Sequence, residues 1–217
     1  PAGLPFSTDD RINTAHVYGE KYKYPGGGPA LAKRTVQYNL GVPVHHYVRI
    51  NFDGFRRIID EIGGIDVQVP RTIVDYEYPT AEGGVETLII PAGLRHMDGD
   101  LALKYARTRH DSNDIDRARR QQQVILAVRD KLLSLDVPLT RIPALLPLLH
   151  GSIRTDVPLD KMYALAHALR QVEAKNIRQG VIDETMVVPW VTPGGAQVLL
   201  PRQDRIRLLV NELFPLG

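Results

Sequence analysis

The densest chemistry in the chain lies between Tyr105 and Gln123. There Y-A-R-T-R-H-D-S-N-D-I-D-R-A-R-R-Q-Q-Q gathers five arginines, three aspartates and three glutamines in nineteen residues. Arginine presents a planar fork of donors that fits phosphate or carboxylate two bonds at a time. Arg107 and Arg109 are one residue apart, so an extended segment aims both the same way. With Asp114 as a helix amino-terminal cap, steps of 3.6 residues put Arg117, Gln121, Val124, Val128 and Leu132 on one stripe. Arg120 falls on its margin, while Arg119 and Gln122 point elsewhere. The apolar half of the stripe must face a core, which predicts that Arg117 and Gln121 continue the buried face. Inward arginine is costly without an anion or carboxylate to meet. A helix start adds free N–H groups and the positive end of a dipole. Four arginines, a glutamine amide and a helix start thus describe a site for a multiply charged anion, with pyrophosphate the natural candidate. A second reading stays open, in which Asp111, Asp114 and Asp116 neutralise the arginines in a salt-bridge lattice around the cap.

Elements that would position these residues follow from local patterns. Leu31, Ala32, Thr35, Val36 and Leu40 recur at helical spacing after Pro29 and end at Gly41, a carboxyl cap. Val44, His46, Val48 and Ile50 alternate with polar residues as in a strand. Asp53 would cap a short helix with Phe55, Ile58, Ile59 and Ile62 on its apolar face, closed by Gly63 and Gly64. I-D-V-Q-V at 65–69 and E-T-L-I-I at 86–90 read as strands, with a polar loop over 70–85. Asp98 starts a helix through Tyr105, and the long helix runs from about Asp114 to Leu135. Beyond Pro138 come apolar residues at 145–149, a helix from Asp160 to Val172, a strand at Met186–Val191 and a helix from Arg202 to Phe214. Helices alternating with short strands predict an α/β fold of layered α-β-α type, with a central mixed sheet flanked by helices.

Composition narrows the function classes. A chain of 217 residues, 43% hydrophobic, can bury a core of its own, and a single domain over 1–217 is expected. A net charge of +2 is too small to announce nucleic acid, and the arginine cluster carries interleaved aspartates with no aromatic platform beside it. No cysteine is present, which excludes disulfides and thiolate chemistry. No stretch approaches the roughly twenty apolar residues of a membrane span. The chain opens P-A-G-L-P without a methionine, so any anchor or leader is expected upstream. Of seven histidines, His45 and His46 fall on opposite strand faces, and His16, His96, His110, His150 and His167 lack ligand spacing. Asp75, Glu77, Glu82 and Glu86 are read as solvated loop carboxylates. G-G-G at 26–28 lacks the G-K-S/T of a phosphate loop and reads as a flexible lead-in to the helix at Pro29.

Y-A-R-T-R followed by D-I-D-R-A-R-R-Q-Q resembles the signature of the LytR-CpsA-Psr domain of bacterial cell-envelope proteins. R-I-N-T-A-H-V-Y-G is similar to that family's K-I-N-x-A-Y-x-x-G segment, with Arg11 in place of its lysine. G-V-P-V-H-H-Y-V-R-I-N-F-D-G-F, G-G-I-D-V-Q-V and A-G-L-R-H-M-D-G-D-L-A-L also fit, so the likeness covers about Arg11 to Leu135, with 136–217 completing the fold. The resemblance implies an enzyme, a phosphotransferase-type ligase that moves a glycopolymer (teichoic acid or capsule) from a polyprenyl-pyrophosphate carrier to peptidoglycan. Its place would be the extracytoplasmic face of the bacterial membrane, held by an upstream transmembrane segment.

Carried over by position, Arg11, Arg107, Arg109, Arg117, Arg120 and Gln121 would bind the pyrophosphate, with Asp114, Arg117 and Arg120 acting in catalysis. Asp114 would orient arginines or stand near the acceptor. Val124, Val128 and Leu132 would line an apolar tunnel for the prenyl chain between sheet and helices, although each taken singly reads first as core. The family pattern also has an upstream strand bearing Mg²⁺-binding aspartates, which precedes this sequence, so no metal ligand is assigned within it. A non-catalytic module that binds a polyprenyl phosphate lipid or an anionic wall polymer is the alternative.

Overall fold

The computed structural model describes residues 10–80, 83–109, 114–135 and 151–215. The expectations at Glu82, His110, Asp111, His150 and 145–149 lie outside the described residues. The elements run, in chain order, α1 (Ala15–Lys21), α2 (Gly27–Leu40), β1 (Val48–Ile50), α3 (Phe52–Glu61), β2 (Ile65–Val69), β3 (Ile73–Pro79), β4 (Val85–Ile90), β5 (Gly93–Met97), α4 (Gly99–Arg107), α5 (Asp114–Ser134), β6 (Ile153–Thr155), α6 (Leu159–Gln171), β7 (Val187–Val191), β8 (Gln197–Pro201) and α7 (Gln203–Leu213). The α/β class holds. In place of one central mixed sheet, the described strands pair two by two, with β2–β5, β3–β4 and β7–β8 all antiparallel. Each strand finds one antiparallel partner, next in sequence for β3–β4 and β7–β8 but across the β3–β4 pair for β2–β5, which a pattern of alternating helices and strands does not reveal.

The chain divides into two compact units, Pro1–Val48 with Thr155–Val157 and Lys175–Gly217, and Arg49–Arg154 with Pro158–Ala174. In the first, α1 and α2 meet through glycines. A Cβ on Gly19 would lie 2.6 Å from the Gly28 Cα, and one on Gly28 would lie 2.5 Å from the His16 carbonyl oxygen. Gly26 and Gly27 take φ of 81° and 71°, open to glycine at little cost. G-G-G is therefore a tight junction and not the flexible lead-in expected. Gly41, at φ 71°, ends α2 as the sequence predicts.

The strand expected over 44–51 is regular only at 48–50. The backbone before it is held by side chains instead: the Asp156 carboxylate accepts from the Tyr47 N–H at 2.8 Å, and Lys33 Nζ donates to the His45 carbonyl at 3.0 Å and to Asp156 at 2.6 Å. Backbone groups paired in this way are not left over for a ladder.

In the second unit, β2 alternates buried Ile65, Val67 and Val69 with exposed Asp66 and Gln68, as a half-buried strand must. α5 packs on β2 and α4, and α4 packs on α3 and β5. Together they close a core that includes Ile59, Ile65, Ile90, Met97 and Tyr105, each no more than 1% exposed. Full burial of such an aliphatic side chain contributes about 1.5–3 kcal/mol. The cap of α3 is Asn51, whose side chain accepts from the Gly54 N–H at 2.8 Å, and Asp53 follows within the first turn. Asp98 caps α4 as predicted, accepting from the Leu101 N–H at 2.8 Å.

The largest departure is at 70–85, where the expected loop contains β3. Its β-branched and aromatic residues pair with β4 from Ile73↔Ile90 onward, with a register shift between Asp75 and Tyr78. A bulge there breaks the period-two pattern that identifies a strand in sequence.

Two outcomes test this packing. Gly99→Ala places a Cβ 2.3 Å from the Arg56 carbonyl oxygen. It should cost about 1–3 kcal/mol by overpacking, read as a lower urea midpoint. An unchanged midpoint contradicts the close α3–α4 approach. In the first unit, the Lys33 ammonium and the Tyr47 N–H hold the Asp156 carboxyl down to about 2, against an ordinary value of 3.8. Its contribution is then complete above pH 3.8 and is lost as pH falls toward 2. The destabilisation caused by Asp156→Asn at pH 7 should shrink over that window; a penalty constant across it contradicts the assignment.

Candidate functional site

α4 ends at Arg107, leaving its last carbonyls without intrahelical partners. Side chains from the first turns of α5 take them up. Arg120 donates from Nε to the Tyr105 carbonyl at 3.0 Å and from a terminal nitrogen to the Thr108 carbonyl. Gln121 Nε2 donates to the Ala106 carbonyl at 3.3 Å. A cation at a helix carboxyl end also answers the dipole. Arg120 is 6% exposed, and this burial pushes its guanidinium down from the ordinary value, with Tyr105 and Asp116 pulling the other way. Tyr105, fully buried beneath it, donates its hydroxyl to Gln123 Oε1 at 2.6 Å, and burial raises its phenol pKa.

Thr108 follows α4 with φ −52° and ψ 141°, an extended conformation that sends its side chain one way and those of Arg107 and Arg109 the other. Thr108 is 2% exposed, and its hydroxyl donates to Asp75 Oδ2 at 2.5 Å. Arg107 and Arg109 line a pocket of about 560 Å³, which Arg117 and Gln121 of α5 also line. Phe52 forms part of the same wall, its ring centroid 4.3 Å from the Arg107 guanidinium carbon, a cation–π stack. β3 supplies Asp75, Glu77, Tyr78 and Pro79. Asp114, the first residue of α5, bridges two arginines through one oxygen, at 3.0 Å from Arg117 and 3.5 Å from Arg109 Nε.

Arg107, Arg109, Arg117 and Gln121 therefore share one pocket, with Asp114 tying two of them together. The helical phase differs from the expected one. Arg117 keeps 26% of its side chain exposed and Gln121 is exposed, while Arg120 is the inward residue. Both 120 and 121 lie one turn before Val124, and the exposure of Gln121 and of Ile125 one turn beyond it sets that stripe outward and takes Arg120 inward with Val124. Arg120 thus builds the wall behind the pocket without lining it. Val124 is 2% exposed within the core, and Val128 and Leu132 pack against that core, so none of the three lines this pocket. Arg11 belongs to the other unit, where its guanidinium donates to the Gln197 carbonyl at 3.1 Å.

Thr108, Asp75, Phe52 and Glu77 were missed as pocket residues. Thr108 carried a usable signal, since it sits between two arginines that an extended segment turns outward. For Asp75 the signal was the strand-forming I-V-D-Y-E-Y, obscured by the bulge. Among the described residues no group of three or more His, Asp or Glu side chains gathers as a metal site. Asp75 has one oxygen on the Thr108 hydroxyl and the other on the Glu77 N–H at 3.2 Å. The described carboxylates do not by themselves make a site for the Mg²⁺ that the resemblance implies.

Removing the Arg120 guanidinium strands two buried acceptors, at about 1–3 kcal/mol for each. Arg120→Ala should therefore lower unfolding free energy by about 2–6 kcal/mol, and Arg117→Ala by about 1 kcal/mol or less. Chemical denaturation checks this, and a larger loss for Arg117 overturns the assignment of the two arginines.

The sequence model of the LytR_cpsA_psr family matches residues 3–213. The polyisoprenyl-teichoic acid–peptidoglycan teichoic acid transferase TagU of Halalkalibacterium halodurans is 35% identical over 176 residues, 79% of this chain and 51% of that protein. TagV of Bacillus subtilis, named for the same transfer, is 34% identical over 138 residues, 60% of this chain and 34% of that protein. The chain thus spans about half the length, or less, of these curated relatives. The crystal structure of B. subtilis TagV is similar at a TM-score of 0.70 and 25% identity, covering 100% of this chain and 79% of that one. Fold, signature and relatives agree, and the chain belongs to the LytR_cpsA_psr family.

Proposed function

We propose that the arginine-lined pocket holds the pyrophosphate of a polyprenyl-linked glycan, and that the protein transfers the phosphosugar end of that glycan to peptidoglycan. The observation that carries this reading is the convergence of Arg107, Arg109 and Arg117 on one pocket, with Asp114 bridging two of them. The relatives named as polyisoprenyl-teichoic acid–peptidoglycan transferases support the class of donor and acceptor.

In this reading a hydroxyl of the acceptor attacks, in line, the phosphorus nearer the glycan. A new phosphorus–oxygen bond forms to the acceptor, the bond to the bridging oxygen breaks, the hydroxyl proton is released, and polyprenyl phosphate leaves. The guanidiniums neutralise charge growing on that leaving group, so catalysis is mainly positioning and electrostatics. Gln121 adds an amide at the rim, Arg120 acts from behind by holding the end of α4, and Asp114 keeps Arg109 and Arg117 aligned. Arg11 enters only through the resemblance. Mg²⁺ belongs to the reading as a charge-neutralising ion held by aspartates expected upstream, and no step here is routed through it. Val124, Val128 and Leu132 are packed in or against the core, so a prenyl chain reaching them would have to displace neighbours. An extracytoplasmic location and a membrane anchor belong to the same proposal.

Each arginine bond to a charged oxygen is worth about 1.5–3 kcal/mol, or roughly tenfold or more in Kd. Calorimetric titration with a polyprenyl-pyrophosphate analogue should show losses of that size for Arg107→Ala, Arg109→Ala and Arg117→Ala. Unchanged affinity in all three would falsify the anion site. The full-length protein with Mg²⁺ should move a lipid-linked glycan to peptidoglycan fragments; tight binding with no transfer would make it a binding module instead.

A further inference from the structure

Thr108 has every polar group held, and by three different elements. Its N–H donates back into α4 at the Lys104 carbonyl, 2.9 Å. Its carbonyl accepts from Arg120 of α5, and its hydroxyl donates to Asp75 of β3 at 2.5 Å. Both Thr108 and Asp75 are 2% exposed. Such a residue cannot rotate or slide without breaking a buried hydrogen bond, and its two neighbours are Arg107 and Arg109.

Asp75 is placed for this by the bulge in β3. Where pairing with β4 slips between Asp75 and Tyr78, the second Asp75 oxygen accepts from the Glu77 N–H at 3.2 Å. The carboxylate is therefore fixed to its own strand on one side and to Thr108 on the other. Bulges commonly re-aim side chains beside functional sites, and this one also brings Glu77 and Tyr78 to the pocket wall.

We propose that Asp75 and Thr108 are positioning residues, which set the spacing of the Arg107 and Arg109 guanidiniums so that the pocket selects two linked phosphates over one. This rests on the reading of the pocket as a pyrophosphate site. A single phosphate is satisfied by either arginine, whereas a diphosphate needs both at a fixed separation, so selectivity is the property that loss of the anchor removes. The bond is charge-assisted, which makes it stronger than a neutral one and sensitive to the carboxylate itself.

The test measures Kd for inorganic pyrophosphate and for orthophosphate by calorimetry, well below the melting temperature of each variant. Thr108→Val deletes the hydroxyl at constant shape, and Asp75→Asn deletes the charge. Each should lower the preference for pyrophosphate by roughly tenfold, while Thr108→Ser, which keeps the hydroxyl, retains the wild-type ratio. A merely structural role would lower the melting temperature and leave that ratio alone. Folded variants with the wild-type ratio overturn the positioning role and spare the pocket assignment. A wild-type protein without preference for pyrophosphate overturns both. Should Thr108→Val not fold, Asp75→Asn against Thr108→Ser carries the same comparison.

Discussion

A guanidinium buried against two backbone carbonyls must keep both hydrogen bonds or leave a cation and two acceptors stranded in a dry interior, and Arg120 keeps both. By holding the carbonyls of Tyr105 and Thr108 it joins the end of α4 to the start of α5. That junction is where the two halves of the signature meet. Arg107 and Arg109 come from the end of one helix and the residues after it, and Arg117 and Gln121 from the start of the next. They share a pocket because a neighbouring arginine has been taken out of solvent to fasten the helices together.

The arrangement divides labour among similar side chains by depth. Arg120 is inward and structural, Arg117 is half-buried and tied to Asp114, and Arg109 stands largely in solvent with 65% of its side chain exposed. Exposed pairs such as Arg109–Asp114 contribute little to stability. Their use is alignment, since a carboxylate that bridges two arginines keeps them together without occupying every donor of either. Phe52 performs a related service for Arg107 by stacking on it.

Much of this was legible in sequence. The long helix from Asp114, the Asp98 cap, the β2 strand and the Gly41 stop all follow from local chemistry that tertiary packing did not override. The common aim of Arg107 and Arg109 followed from a single-residue spacing and an extended backbone. The phase of α5 did not, because two consecutive residues sit one turn below Val124 and only the tertiary packing, which buries Arg120 and leaves Gln121 and Ile125 exposed, decides between them. Asp75 was hidden by a bulge that shifts the alternation midway through β3. Residues 44–47 looked like the start of a strand, yet their backbone is engaged by Lys33 and Asp156, the second more than a hundred positions away, which no local pattern can report.

The central claim is that one set of arginines meets the anion while another holds the wall behind it. A crystal structure with a bound polyprenyl-pyrophosphate analogue tests it most directly. The account predicts phosphate oxygens within hydrogen-bond distance of Arg107, Arg109 and Arg117, with Arg120 still on the carbonyls of Tyr105 and Thr108. A pyrophosphate bound away from this pocket, or an Arg120 that leaves those carbonyls to reach it, contradicts the account.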